Sequence, residues 1–252
     1  MRNIFFFLCL LPAYLSAQIV NVEAKRKTVY ADTTGWFGGG DVGFNLNENG
    51  KTVLTGIANA SVEYWQGKNL WLSLTNYKVV RANREDFVNQ GFQHFRYNRE
   101  WTPKIIREAF IQIQYDQRLG IRLRALAGMG PRFQLLKNEH GHLFFGTLYM
   151  YQYEELATAG IIHRDHRLST YLSFRIKIKE NARLYGTTYY QPLLTNLRIT
   201  RIASQTALEL DFTEKLSFRA AFNIALDNRL SAEVSDVPIA VYSLENGLKW
   251  RF

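Results

Sequence analysis

The sequence predicts an all-β protein, a transmembrane antiparallel β-barrel of about 12 strands behind a cleaved signal peptide. Three observations predict it. Apolar and polar side chains alternate at period two over most of the chain, and the N-terminus has the three-part form of a secretory signal. The C-terminus ends on an alternating aromatic strand, with Leu248, Trp250 and Phe252 set against Lys249 and Arg251.

At the N-terminus, Arg2 precedes the apolar run Ile4 to Leu11, and the small residues Ser16 and Ala17 follow. Cleavage is expected after Ala17, so residues 1–17 form the signal, 18–33 an N-terminal periplasmic segment and 34–252 the barrel. Cys9, the single cysteine, lies inside the apolar run without the small residues that a lipoprotein signal places just before its cysteine. Lipidation is therefore not expected, and the mature chain has neither thiol chemistry nor a disulfide. No later apolar stretch approaches the ~18 residues of a membrane helix. With 14% aromatic residues, 5 prolines and no Pro- or Ser-rich linker, the remainder reads as one strand-rich domain. The formal net charge is +9 and its basic residues are scattered. For an exported chain the expected counter-charges are the anionic head groups of outer-membrane lipid and lipopolysaccharide, not nucleic acid.

The strands follow from the alternation. Leu216, Phe218, Ala220, Phe222, Ile224 and Leu226 share one face, and Arg219, Asn223 and Asp227 share the other. Leu168, Leu172, Phe174, Ile176 and Ile178 likewise oppose Ser169, Tyr171, Ser173, Arg175 and Lys177. Ile202, Leu208, Leu210 and Phe212 oppose Arg201, Gln205, Glu209 and Asp211. The same reading places strands over 34–45, 51–65, 69–81, 90–101, 105–117, 121–136, 142–154, 166–179, 182–193, 197–213, 216–227 and 239–252.

Outer-membrane barrels have short periplasmic turns and longer external loops. With the first strand rising from the periplasm, short links are expected at 66–68, 102–104, 137–141, 180–181 and 214–215. Longer external links are expected at 82–89, 155–165 and 228–238, with short exceptions at 47–50 and 118–120.

Period two alone does not say which face points inward. A lipocalin-like soluble barrel that binds a ligand would put the apolar face inside, but about eight strands already enclose a space that side chains can fill. Twelve around an apolar interior would leave a void. The apolar face is therefore expected to meet lipid, with Arg122, Arg124, Arg175, Lys177, Arg201, Glu209, Asp211 and Arg219 lining the lumen. Closure removes the strand edges that hydrocarbon forbids. Trp36, Trp65, Trp71, Trp101 and Trp250 lie near strand ends, where interfacial girdles form. Leu248, Trp250 and Phe252 resemble the final-strand signal read by the outer-membrane assembly machinery, an expected partner.

Catalytic, metal and cofactor patterns are weak. A serine and histidine must come within hydrogen-bond reach to act together, yet His166 and Ser169 are three apart and face opposite ways, and His94 has no serine two positions away. His163, Asp165 and His166, or His140 and His142, supply fewer convergent ligands than a metal site needs. Gly38, Gly39 and Gly40 have no following helix to cradle a phosphate; they, with Gly128 and Gly130, read as sites of curvature or close packing. No catalytic, cofactor-binding or metal residues are assigned, and no cofactor is expected.

From Gln90 to Leu136 the run Phe95-Arg96-Tyr97-Asn98, the strand end Gln114-Tyr115-Asp116, and the strand Arg122 to Gly130 followed by Arg132 resemble the YdiY-like proteins. These are outer-membrane proteins of unknown function described as salt-induced. The resemblance implies an outer-membrane barrel with no assigned catalytic residue. Three functions remain open at this level: a pore or transport-related barrel, a structural envelope protein plugged by its own charges, and a lipid hydrolase or acyltransferase. The last is disfavoured by the serine and histidine spacing.

Overall fold

The computed structural model describes residues 34–250 apart from 49, 51, 83–84 and 158–159. The signal peptide and periplasmic segment expected over 1–33 lie outside the described residues, as does Phe252. The strands are β1 (Gly35–Glu48), β2 (Thr52–Gln66), β3 (Asn69–Ala82), β4 (Glu85–Thr102), β5 (Ile105–Asp116), β6 (Ile121–Asn138), β7 (Gly141–Leu156), β8 (Ile162–Lys179), β9 (Ala182–Leu193), β10 (Asn196–Asp211), β11 (Leu216–Asp227) and β12 (Ala240–Trp250). They form one antiparallel 12-stranded sheet in sequence order. A one-turn helix, α1 (Leu230–Glu233), interrupts the last connection.

Register sets the faces, because each directly paired couple points to the same side. On β11, Ala221, Asn223, Ala225 and Asp227 are buried while Phe222 is 44% exposed on the opposite face. On β7, Leu148, Met150, Gln152 and Glu154 are buried between the exposed Tyr149 and Tyr151. The buried row is therefore the more polar one, and the exposed row is apolar and aromatic. The sheet curls around the polar row: Tyr171 on β8 donates to Glu108 on β5, and Arg201 on β10 donates to Glu154 on β7.

Closure is not reached. Among the described residues no pairing joins β1 to β12, so the barrel has a seam there. The composition of β1 supplies the reason. Its inward positions are Gly35, Phe37, Gly39, Asp41, Gly43, Asn45 and Asn47, aligned with the inner row of β2. With three glycines among them, β1 has little side-chain surface to hold it against the interior, and most of its residues are exposed on both faces.

Connections are shorter than the alternation suggests. The link expected over 82–89 shrinks to two residues between β3 and β4, and the one expected over 155–165 to five between β7 and β8. The cause is strand length: β4, β6 and β8 each have 18 residues. Strands of that length absorb positions that read as loop in the sequence. Only the β11–β12 link is long on either rim.

Two of the interior glycines illustrate close packing. A Cβ on Gly128 would sit 2.6 Å from the Phe110 ring, and one on Gly146 would sit 2.2 Å from the Tyr171 ring. Both rings fill the interior by lying over bare backbone.

Candidate functional site

The interior is the candidate site, built in layers from the rim that carries α1. At this rim Leu119, Ile121 and Leu156 pack with Leu230 and Val237 of the β11–β12 link, and Val234 joins them. The link turns inward because Asp227 accepts hydrogen bonds from the backbone N–H groups of Arg229 and Leu230, at 3.2 and 3.0 Å. Such a carboxylate turn stabilises a reversal that no regular strand could make. His163 Nε2 meets Glu233 at 2.7 Å and ties α1 to β8.

Beneath this apolar cap lies an ion cluster. Arg201 is 2% exposed and donates through Nη2 to both oxygens of Glu154 at 2.9 Å, through Nε to Asp227 and through Nη1 to Gln152. Arg124 donates to Glu154 and stands 3.8 Å from Asp227. Arg229 grips Asp165 with both terminal nitrogens at 3.2 and 2.5 Å, and lies 3.6 Å from Glu154. Arg167 donates to the carbonyl oxygen of Gln191 at 2.9 Å and stands 3.5 Å from Asp165. Burying such charges is costly unless each finds partners, and the forked guanidinium geometry supplies them. One rim thus carries an apolar lid over a charged plug.

A cavity of about 30 Å³ follows, bounded by His94, Gln112, Gln191 and the underside of Arg124 and Arg201. One or two waters fit such a space. Below it Glu108, 3% exposed, accepts from Tyr171 Oη at 2.5 Å, with Arg132 at 3.4 Å and Arg96 at 3.9 Å. His94 Nδ1 bonds Gln112 Oε1 at 2.8 Å, and its ring stacks on Phe110.

The sequence-predicted lumen residues separate into three groups. Arg124 and Arg201 meet in the ion cluster. Arg175, Lys177, Glu209, Asp211 and Arg219 lie toward the other rim, partly buried. There Arg183 bridges Asp211 at 2.7 Å and Glu209 at 3.5 Å, Arg219 donates to Tyr185 at 3.0 Å, Arg175 lies over the Tyr185 ring, and Lys177 turns to Glu180 at 2.6 Å. Arg122 does not line the interior. The β6–β7 register slips between Ile121 and Leu123, which makes Arg122 the extra residue of a bulge. Its side chain is 73% exposed and pairs with Glu155 at 2.8 Å.

Of the tryptophans, Trp36, Trp71, Trp101 and Trp250 are exposed on the outer face. Trp65 is not: it pairs with Gly35 and Leu70 on the inner row, and its Nε1 donates to Glu63 at 3.1 Å. Leu248 and Trp250, expected in the assembly signal, are 69% and 68% exposed on the outside of β12. The serine and histidine of β8 are not brought together. His166 faces out against Tyr149 and Tyr151, and Ser169 faces in and accepts from Gln191.

Glu154, Asp165, Arg167, Asp227, Glu108, Arg96, Arg132 and Arg229 were not among the expected lumen residues. For Gln152 and Glu154 a signal was present, since Tyr149, Tyr151 and Tyr153 hold the other face.

A family model described as a protein of unknown function, DUF481, matches residues 41–239. The chain belongs to the DUF481 family. The YdiY-like likeness of the middle strands falls within this DUF481 match. No curated protein matches the chain. Among solved structures, the NanC porin aligns with a TM-score of 0.48 at 11% identity, over 79% of this chain and 94% of the porin. OccK11 (OpdR) of Pseudomonas aeruginosa aligns with a TM-score of 0.39 at 8% identity, over 85% of this chain and 80% of its own.

Proposed function

We propose that this DUF481 protein is an outer-membrane β-barrel closed by its own interior charges, with a structural role in the bacterial envelope and no catalytic one. The observation that carries the reading is the ion cluster of Arg124, Glu154, Arg201 and Asp227, which spans β6, β7, β10 and β11 and is sealed by α1. A solute path along the axis would have to break these contacts, each made by a side chain at most 2% exposed. Placement in the outer membrane is supported by the secretory N-terminus, by the apolar and aromatic outer row, and by a polar inner row that suits a membrane barrel. Lipid and lipopolysaccharide are the surrounding partners in this reading, and the assembly machinery is the one that inserts the barrel.

Planar bilayer recording tests it. Carbonate-resistant, heat-modifiable protein is expected to give no stepwise openings at high protein load, and stable openings of the intact chain would overturn the closed state. A gated pore is the second reading, favoured by one feature: among the described residues two polar side-chain contacts tie α1 and the preceding Arg229 to β8, Arg229 to Asp165 and Glu233 to His163. Openings that appear only when 229–238 is replaced by a short turn would favour the gate.

A further inference from the structure

The outer wall carries a feature that a uniform lipid-facing surface does not need. Trp36, Tyr64, Trp71, Tyr97, Ala109, Met129 and Tyr149 pair directly from strand to strand, so they form one row across β1 to β7. Successive ring centroids from Trp36 to Tyr97 are 4.6, 5.5 and 5.3 Å apart, a continuous aromatic ridge. Met129 and Tyr149 rise on the far side. Between them the wall falls away at Ala109 and Ala127, leaving an almost wholly apolar trough of about 710 Å³. That lies within the ~300–1,000 Å³ typical of small-molecule sites.

One end of the trough is basic. The next outward position after Tyr97 on β4 is Arg99, and the one before Ala109 on β5 is Arg107, a single outward step of ~7 Å from the groove. Arg99 and Arg107 are directly paired across the two strands. Like charges so placed repel, which is a cost the sheet bears unless an anion lies between them. With Lys68 of the β2–β3 turn they line a second pocket, of about 570 Å³, that also includes Glu100 and Asn69. Among the described residues none of the three cations makes an ion pair with a carboxylate. Arg107 lies over the Trp101 ring at 4.0 Å, which holds its plane and leaves its N–H edge for an acceptor. Three cations against one acid leave the pocket positive.

We propose that this wall binds one anionic glycerophospholipid. An acyl chain lies in the trough, and the phosphate is held between Arg99, Arg107 and Lys68 at the rim of the β2–β3 and β4–β5 turns. The proposal rests on the outer face lying in lipid. It goes further by selecting one lipid at one place: an apolar tail and a phosphate at one end match the trough and its basic end, and a free phosphate would leave the trough empty.

The test is native mass spectrometry of the folded protein, extracted in mild detergent and titrated with phosphatidylglycerol. The intact chain is expected to hold one lipid, and Arg99→Gln with Arg107→Gln to weaken it roughly tenfold or more, since two charge-assisted contacts are lost. Ala127→Trp, which fills the trough from the outer face, should weaken it comparably. Lys179→Gln, a surface cation on β8, should leave it unchanged. Each protein is first inserted into vesicles and checked for heat-modifiable migration. Failure of the intact chain to insert would sink the membrane reading itself. Normal insertion with no retained phospholipid, with lipopolysaccharide held in its place, with inorganic phosphate competing at full strength, or with equal retention by all variants would overturn the lipid site alone.

Discussion

Replacing Glu154 by glutamine removes one charge and almost no volume from the middle of the buried cluster. Three guanidiniums then lose a shared counter-ion: Arg201 bonds both its oxygens, Arg124 bonds one, and Arg229 stands 3.6 Å away. Breaking a buried pair by deleting one partner costs about 3–5 kcal/mol, because the remaining charge cannot regain its water. Glu155 is the matched control, one residue along and facing the other way. Among the described residues its side chain pairs with Arg122 alone, whose side chain is 73% exposed, so Glu155→Gln should cost about 0–1 kcal/mol. The assay is urea unfolding of the barrel in lipid vesicles, followed by tryptophan fluorescence. With a slope of roughly 2–3 kcal/mol per molar for a chain of this size, Glu154→Gln should lower the midpoint by about 1–2.5 M and Glu155→Gln by less than about 0.5 M. Equal shifts, or a larger one for Glu155, would refute the placement of the cluster and with it the account of why the interior is closed.

Other substitutions probe the wall and the rims. Phe222→Arg, near the middle of β11 on the apolar outer face, should cost about 2–4 kcal/mol on refolding into vesicles if that face meets lipid as proposed. Asn223→Ala, which faces in and loses hydrogen bonds to Ser243 and Glu245, should cost about 1 kcal/mol, and the reverse order would show the barrel inside out. A Cβ on Gly130 would lie 2.2 Å from the Thr147 carbonyl oxygen, so Gly130→Ala should destabilise by about 1–3 kcal/mol, whereas Gly39→Ala, with nothing within 4 Å, should not. Comparing the two urea midpoints checks this. Tags placed at 157–161 or 228–239 should be reached on intact cells, and tags at 180–181 should not; labelling of the second site alone would reverse the orientation.

The faces of this sheet were legible in the chain because period two is a local property. The alternation of β11 reads the same in the linear sequence as in the barrel, and pairing with β10 and β12 only confirms it. Partners inside the barrel were not legible in that way. Arg201, Glu209 and Asp211 share one face of β10. The two acids sit eight and ten positions along an extended strand, however, about 27 and 34 Å away at the rise of a β-strand. Arg201 instead meets Glu154, 47 residues earlier, and Asp227, 26 residues later, because curl brings β7 and β11 across to it.

What the sequence determined by itself is therefore the class of structure: twelve strands, their order, which face is apolar and where most turns fall. Each of these follows from side-chain alternation and turn residues within a few positions of one another. Only the tertiary structure decided that the interior is filled, that Arg122 leaves it through a bulge, that α1 folds in as a lid, and that no pairing joins β1 to β12 among the described residues. Those outcomes depend on curvature, register slips and contacts between residues far apart in sequence, such as Leu119, Leu156 and Leu230 in the cap. Local alternation carries no record of them, since an inward side chain reads the same whether it faces water or another strand.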